Sequence, residues 1–456
     1  MKELRVLAPT AILGYGFPIQ SFEEGLRRDP HLIAVDAGSS DPGPFYLGAG
    51  VSFTDRSAVK RDLELLLTAA RERKIPLIIG SAGGSGGEPH LEWNVDIIEE
   101  IAKEKKLSFK MAVIHGEISP ELVQDKLADG KVKPLPPLEE LTCEELEKTE
   151  RIVGQMGIEP FIRALEMGAE VIVAGRAYDP AVFAAPAVLQ GFDRGLALHM
   201  GKILECACIA STPGSGSDCM MGFLREDCFL VEPLNSARRC TPMSVAAHTL
   251  YEKSNPYLLP SPGGALDLSE TQYLAASSRA VKVTGSKFIP DPNYTIKLEG
   301  VKKIGYRTIS IAGVRDPVMI QQIDEIIDSV REKVAENFAV QTLTYFLDFK
   351  VYGKNGVMAG LEPVVETNSH ELGIIIEAVA PCQATADTIC SFARSTMLHW
   401  GYEGRLSTAG NLAFPYSPSD FQAGPVYVFN VYHLLEVSDP CELFPMELCQ
   451  VGEVGA

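Results

Sequence analysis

Pro76-Leu77-Ile78-Ile79-Gly80-Ser81-Ala82-Gly83-Gly84-Ser85-Gly86-Gly87-Glu88-Pro89-His90 is an apolar run that breaks into glycine and serine just before a helical pattern begins. Strand, turn and helix together form the repeating unit of a parallel sheet, because parallel neighbours need a crossover connection between them. Glycines have no Cβ to shield their amides, and a helix N-terminus carries positive partial charge. Such a turn can hold a phosphate, a carboxylate or a carbonyl developing negative charge. The stretch lacks the Lys-Ser/Thr of a P-loop and does not read G-x-G-x-x-G, and a tight turn without a ligand is the alternative. Its anion-binding candidates are Ser81, Gly83, Gly84 and Ser85.

The same rhythm extends to both sides. Residues 5–8 read as a strand and 22–28 as a helix capped by Ser21; strand 32–35 runs into Asp36-Ala37-Gly38-Ser39-Ser40-Asp41. Helix 56–74 precedes the glycine turn and helix 94–105 follows it. Strand 109–114 ends at His115-Gly116-Glu117, and strand 171–174 at Gly175-Arg176-Ala177-Tyr178-Asp179. Between them, residues 130–150 are rich in Pro, Lys and Glu and read as an exposed excursion, with Thr142 capping a helix. Ligands of open α/β sheets bind at the carboxyl ends of the strands, so these polar ends are expected in one cleft. His115, Glu117, Asp36 and Asp179 are the catalytic candidates, since His and Glu transfer protons near neutral pH when their surroundings tune them. Asp41 and Arg176 join the binding set, Arg176 as a fork for a carboxylate or phosphate. On this reading Arg176→Ala weakens ligand binding and spares the fold. Asx-turns and structural hydrogen bonds are the alternatives for Asp36, Asp41 and His115.

Residues 196–208 read as a helix that brings His199, Lys202 and Glu205-Cys206 near one face, either toward a ligand or as a buried polar pair. Residues 212–218 read as a flexible lid. From about residue 225 the pattern becomes antiparallel, with strands at 280–284 and 294–298 joined by a Pro/Asp turn. Strand 307–312, an apolar stripe at Ile320, Ile323, Ile327, Val330 and Val334, strands 344–352 and 373–379, helix 385–398 and strand 426–437 follow. That order is βαββαβ, the order of a ferredoxin-like unit. The long connection 407–420 contributes Asn411 as a further binding candidate. The expected fold class is therefore α/β: a parallel-sheet, Rossmann-like domain over residues 1–304, with a C-terminal α+β ferredoxin-like domain over 305–456.

The 456 residues carry 41 Lys+Arg against 60 Asp+Glu, a net charge of -19, which disfavours nucleic acid and anionic membranes as partners. No window resembles a membrane span or a signal peptide, which points to the cytoplasm. Ten scattered cysteines then read as free thiols, and Cys206 and Cys208 lack the second pair that a zinc site needs.

Several segments together resemble the acyclic terpene utilisation (AtuA-like) family, a domain of unknown function. They are Gly14-Tyr15-Gly16-Phe17, Ser81-Ala82-Gly83-Gly84, Ala174-Gly175-Arg176-Ala177-Tyr178-Asp179-Pro180, Leu204-Glu205-Cys206, and Leu250-Tyr251-Glu252 followed by Asn255-Pro256. The resemblance covers residues 4 to about 315. Where family members carry a Gly-Asp-Arg run near the start, this chain reads Leu13-Gly14-Tyr15-Gly16-Phe17-Pro18. The resemblance implies a place in the breakdown of branched acids and terpenoids, often through acyl-CoA intermediates.

Three functions fit. The first is a lyase or hydratase acting on a small hydroxy acid or its acyl-CoA, in which Arg176 and the glycine turn hold the acid and His115 or Glu117 moves a proton. The second is a CoA- or nucleotide-binding subunit of a larger enzyme. The third is metal-assisted hydrolysis by Asp36, Asp41 and His115, although no H-x-x-H or H-E-x-x-H spacing is present. The expected partners are a small acidic substrate and either a second copy of the chain or a small subunit. No metal is called for, and no cofactor beyond CoA as part of the substrate.

Overall fold

Apolar residues run without a break through 32–35, 77–79 and 171–174, within strands Leu32–Asp36, Leu77–Gly80 and Val171–Ala174, and every residue of these strands is buried. A strand covered on only one face would alternate; these pack on both. Leu32, Ala34, Ile78, Ile172 and Ala174 belong to one core, while Ile33, Val35, Leu77, Ile79, Val171 and Val173 belong to the other. Helices Arg56–Arg73 and Glu88–Lys105 supply the second core with Leu63, Leu66, Ile97 and Ile101. Helices Glu159–Glu166, Ala181–Leu189 and Arg194–Leu204 supply the first with Phe161, Phe183 and Leu204.

The structure is a computed structural model that describes residues 2–341 and 343–452; Thr342 and 453–456, part of the expected second domain, lie outside it. The chain is mixed α/β and divides into two compact units. One runs to Lys302 and resumes at Phe429; the other is Lys303–Val428. The chain from Phe429 on belongs with the first unit. The reason is pairing: Met446–Val451 lies antiparallel on Phe109–Ile114, and Leu434 pairs with Lys133.

The first unit holds a ten-stranded sheet. Its centre is parallel, in the order Leu4–Ala8, Leu32–Asp36, Leu77–Gly80, Val171–Ala174, Phe109–Ile114. Antiparallel strands flank it, beginning with Met220–Leu224, somewhat before the expected residue 225. Val281–Thr284 pairs with Phe229–Pro233 and Gln272–Ala275, not with the strand that begins at Thr295. A separate three-stranded sheet contains Leu258–Ser261, Gly264–Asp267 and Lys287–Pro290. The excursion at 130–150 contains strand Val132–Pro134 and helix Cys143–Glu147, whose cap Thr142 accepts from the Glu145 amide. Strand Arg151–Gln155, absent from the sequence reading, pairs with Lys297–Val301. Ser21 lies buried inside helix Ile19–Arg27 and does not cap it. The helix expected at Asn94 begins at Glu88, since Pro89 in the first turn lacks only an amide that has no partner there anyway.

In the second unit, Phe346–Tyr352 pairs with Leu372–Ala380, which pairs with Tyr306–Val314. Helices Ile323–Phe338 and Gln383–His399 contribute Ile323, Ile327, Val330, Val334, Ile389 and Met397 to a core with Ile374 and Ile376. Two expected strands, 294–298 and 307–312, are parts of one strand, Thr295–Val314. All ten cysteines are free.

The glycine turn is buried from Ser81 to Gly87. Its backbone is laced to the neighbouring strand end: Ser81 N donates to Gly175 O (3.0 Å), Ala82 N to Ala174 O (2.9 Å) and Arg176 N to Gly86 O (3.1 Å). Gly86 sits at φ +69°, and a methyl group there would stand 2.2 Å from the Arg176 nitrogen; one at Gly83 would stand 2.7 Å from His90 O. These glycines permit backbone-to-backbone packing and leave no open anion cradle. Gly86→Ala is therefore expected to destabilise the protein by roughly 3 kcal/mol or more, from a left-handed φ plus overpacking. Gly401→Ala, where the space is open and φ is not positive, is expected to stay within about 0.5 kcal/mol. Chemical denaturation of the two variants checks both values.

Candidate functional site

Arg176 follows the strand Val171–Ala174 and is 2% exposed. Its Nε donates to Glu299 Oε2 (2.8 Å), and its Nη1 donates to Asp179 Oδ1 (2.8 Å), Ala177 O (2.6 Å) and Ser81 Oγ (3.2 Å). Glu299 is fully buried; burial would raise its carboxyl, but Arg176 and then Lys297 outweigh that and bring it down to about 2. Lys297 Nζ lies 2.5 Å from Glu299 Oε1. The expected anion fork is thus already filled by the chain's own carboxylates.

The helix N-terminus after the glycine turn is filled in the same way. Glu88 N donates to Glu117 Oε2 (2.7 Å), and Arg151 Nη1 donates to both Glu117 oxygens (2.7 Å each). The anion that this N-terminus holds is Glu117 itself. His115 Nδ1 lies 2.9 Å from Glu88 Oε2. Ser81, Gly83, Gly84 and Ser85 are buried behind these groups, and Ser85 Oγ has no protein partner.

A cleft of about 1020 Å³ opens beside Arg176, and Asp41 and Asp179 line it with Arg176 itself. Of the expected site residues these three share it. Asp36 lies close enough to feel Asp179, Arg176 and Glu205; burial first, then Asp179, holds its carboxyl well above the usual range, and its Oδ1 has no partner. His115, Glu117 and the glycine turn are not among the lining residues. Asn411 belongs to the second unit, where its amide donates to Met397 O and Trp400 O at the end of helix Gln383–His399. The expected lid is tied down: Thr212 and Arg239 exchange backbone hydrogen bonds, and Arg238 Nε donates to Asp218 Oδ2 (2.7 Å).

The cleft adds residues that the sequence reading left out or left open. Lys202 and Glu205 come from the end of helix Arg194–Leu204, Lys253 from the segment after helix Pro242–Thr249, and Lys297 from Thr295–Val314. Lys202 Nζ donates to Glu205 Oε1, while Glu205 Oε2 has no hydrogen bond. Burial pushes the Glu205 carboxyl up, Lys202 opposes, and the result is about 7. His199 is not part of this group; it bonds Ser286 Oγ and Thr249 Oγ1. Lys202 and Glu205 had a helical spacing to announce them. Lys253 lies between the resembling segments Leu250-Tyr251-Glu252 and Asn255-Pro256, the one signal that pointed to it.

The sequence signature described as acyclic terpene utilisation family protein AtuA matches residues 55–218 and 227–413. The chain belongs to this family. No curated protein and no solved structure matches it. The AtuA signature spans the glycine turn, Arg176, Lys202, Glu205, Lys253 and Glu299. Among the described residues no group of three or more His, Cys, Asp and Glu side chains could hold a metal ion, and no helix is long and apolar enough to cross a membrane.

Truncating Arg176 would strand Glu299 in the interior with Lys297 alone. Arg176→Ala is therefore expected to lower stability by about 3–5 kcal/mol, the cost of removing one partner of a buried ion pair. Urea denaturation checks it; an unchanged midpoint would show that Glu299 finds another partner.

Proposed function

We propose that the first unit is a lyase or hydratase of the terpene-utilisation class, acting on a small hydroxy acid or its acyl-CoA in the cleft beside Arg176. The observation that carries this is Glu205: a buried carboxyl held at about 7, with one oxygen on Lys202 and the other free. A group with those properties takes and returns a proton at neutral pH, as removal of hydrogen next to a carbonyl requires. Lys202 keeps the carboxyl oriented, and Tyr178 and Asp179 line the same wall. Proton transfer thus passes from the expected His115 and Glu117 to Glu205. A volume of about 1020 Å³ has room for a small acid or for an acyl thioester.

Four cations line the cleft, Arg176, Lys202, Lys253 and Lys297, beside five carboxylates, Asp41, Asp179, Glu205, Glu252 and Asp291. Three of the cations are paired with carboxylates, so an acidic or carbonyl substrate is left with Lys253. We also read the units as Rossmann-like and ferredoxin-like domains; the parallel run supports the first and the βαββαβ order the second. We take the protein to work in the cytoplasm as a homo-oligomer or with a small subunit.

The test is a panel of short 3-hydroxy and 2-enoyl acids and their CoA thioesters, with water loss or addition followed by ultraviolet absorbance. Elimination is expected to rise with pH through about 7, as Glu205 becomes a carboxylate. Glu205→Gln is expected to lower kcat by a factor of about 100 or more and to remove that pH step. A variant that keeps the wild-type rate and profile would end the assignment of Glu205.

A further inference from the structure

Three lysines face the cleft, and two of them are locked as ammonium ions. Lys202 is buried against Glu205, whose attraction outweighs burial and raises the amine. Lys297 is held by Glu299 and lies over the Tyr432 ring. Lys253 differs from both: it is half-buried, its backbone amide donates to Leu250 O, and its side-chain amine has no hydrogen bond or ion pair among the described residues. Its neighbour Glu252 sits at φ +60° and is engaged with the Tyr251 hydroxyl. Burial first, and then the Lys202 ammonium, lower the Lys253 amine from its ordinary value, against opposing contributions from Glu205, Asp179 and Glu252. A lysine desolvated beside another cation is activated as a nucleophile. The group that would complete its chemistry, a carboxyl with a free oxygen that is half-protonated near neutrality, is Glu205 in the same cleft.

We infer that Lys253 forms an imine with the keto group of a small hydroxy-oxo acid, which makes this site a carbon–carbon lyase. The inference rests on the assignment of Glu205 given above and narrows its substrate to a carbonyl compound. The amine adds to the keto carbon, the carbon–oxygen π pair moves to oxygen, and one proton passes from nitrogen to oxygen. Glu205 in its acid form protonates that hydroxyl, water leaves, and the nitrogen lone pair closes the iminium. Glu205, now a carboxylate, takes the proton from the hydroxyl on the carbon β to the iminium. The bond between the α and β carbons breaks; its electrons pass into the iminium to give an enamine, and the β carbon leaves as an aldehyde or ketone. The enamine carbon recovers a proton from Glu205 to give the iminium of the product; water then adds to that iminium and releases the oxo acid and the free amine, and the surplus proton returns to the Glu205 carboxylate. No oxidant or reductant is consumed.

The test is reductive trapping of the full-length protein with pyruvate and sodium cyanoborohydride at neutral pH, followed by peptide mapping. Labelling is expected at Lys253 at least tenfold faster than at any other lysine. Lys253→Arg is expected to abolish that label while keeping the wild-type melting temperature, and Glu205→Gln to slow it. Equal labelling across lysines, or none at Lys253, overturns the inference. If Glu205→Gln loses elimination activity while Lys253 takes no label, the imine is wrong and the proton-transfer assignment stands. If Lys253 is labelled selectively and Glu205→Gln labels and eliminates at the wild-type rate, the imine stands and the assignment of Glu205 falls.

Discussion

The ion pair between Arg176 and Glu299 is the constraint on which the first unit depends. Glu299 has no exposed surface, and a carboxylate in that position must be matched by charge and hydrogen bonds or be neutralised. Arg176 and Lys297 supply both, and in doing so they tie the end of Val171–Ala174 to the strand that begins at Thr295. The same guanidinium turns to Ser81 and Asp179, so the glycine turn and the cleft wall are held by one side chain. Gly86 makes this possible by letting the turn's carbonyl reach the Arg176 amide.

The parallel strands could be read from the sequence because burial on both faces leaves unbroken runs of Val, Ile and Leu, and few other patterns produce them. Their polar ends were legible for the same reason: residues such as Asp36 and Arg176 stand just where each run stops. What stayed hidden is which polar end meets which partner. Glu299 lies 123 residues from Arg176, inside a strand whose other residues look ordinary, and nothing local marks it as the counter-ion. Glu117 was legible as a titratable group at a strand end, but not as the anion that the next helix would claim. Both omissions have one physical cause. A site for an anion and an anion can satisfy each other inside a single chain, and sequence spacing does not distinguish an empty site from one filled internally.

Lys253 illustrates the converse. It lies outside the βα rhythm, in a segment without strand or helix periodicity, so no pattern argument reaches it. Its character comes from what surrounds it, namely Lys202 nearby and carboxylates already committed elsewhere. Chemical distinctiveness of this kind belongs to an arrangement, not to a residue type, and it emerges only when pairing across the whole cleft is traced.

The antiparallel pair between Phe109–Ile114 and Met446–Val451 has a consequence for biosynthesis. Met111 and Cys449 touch across 338 residues of chain, and the whole of Lys303–Val428 is translated between them. While the ribosome is still making that inserted stretch, Phe109–Ile114 has one flank unpaired, a run of open amides and carbonyls beside an apolar face. Pairing across such a distance is slow, and an open strand flank attracts other chains. The nascent protein is thus most exposed to aggregation in the interval between emergence of Phe109–Ile114 and arrival of Met446–Val451, and chaperone demand should concentrate there.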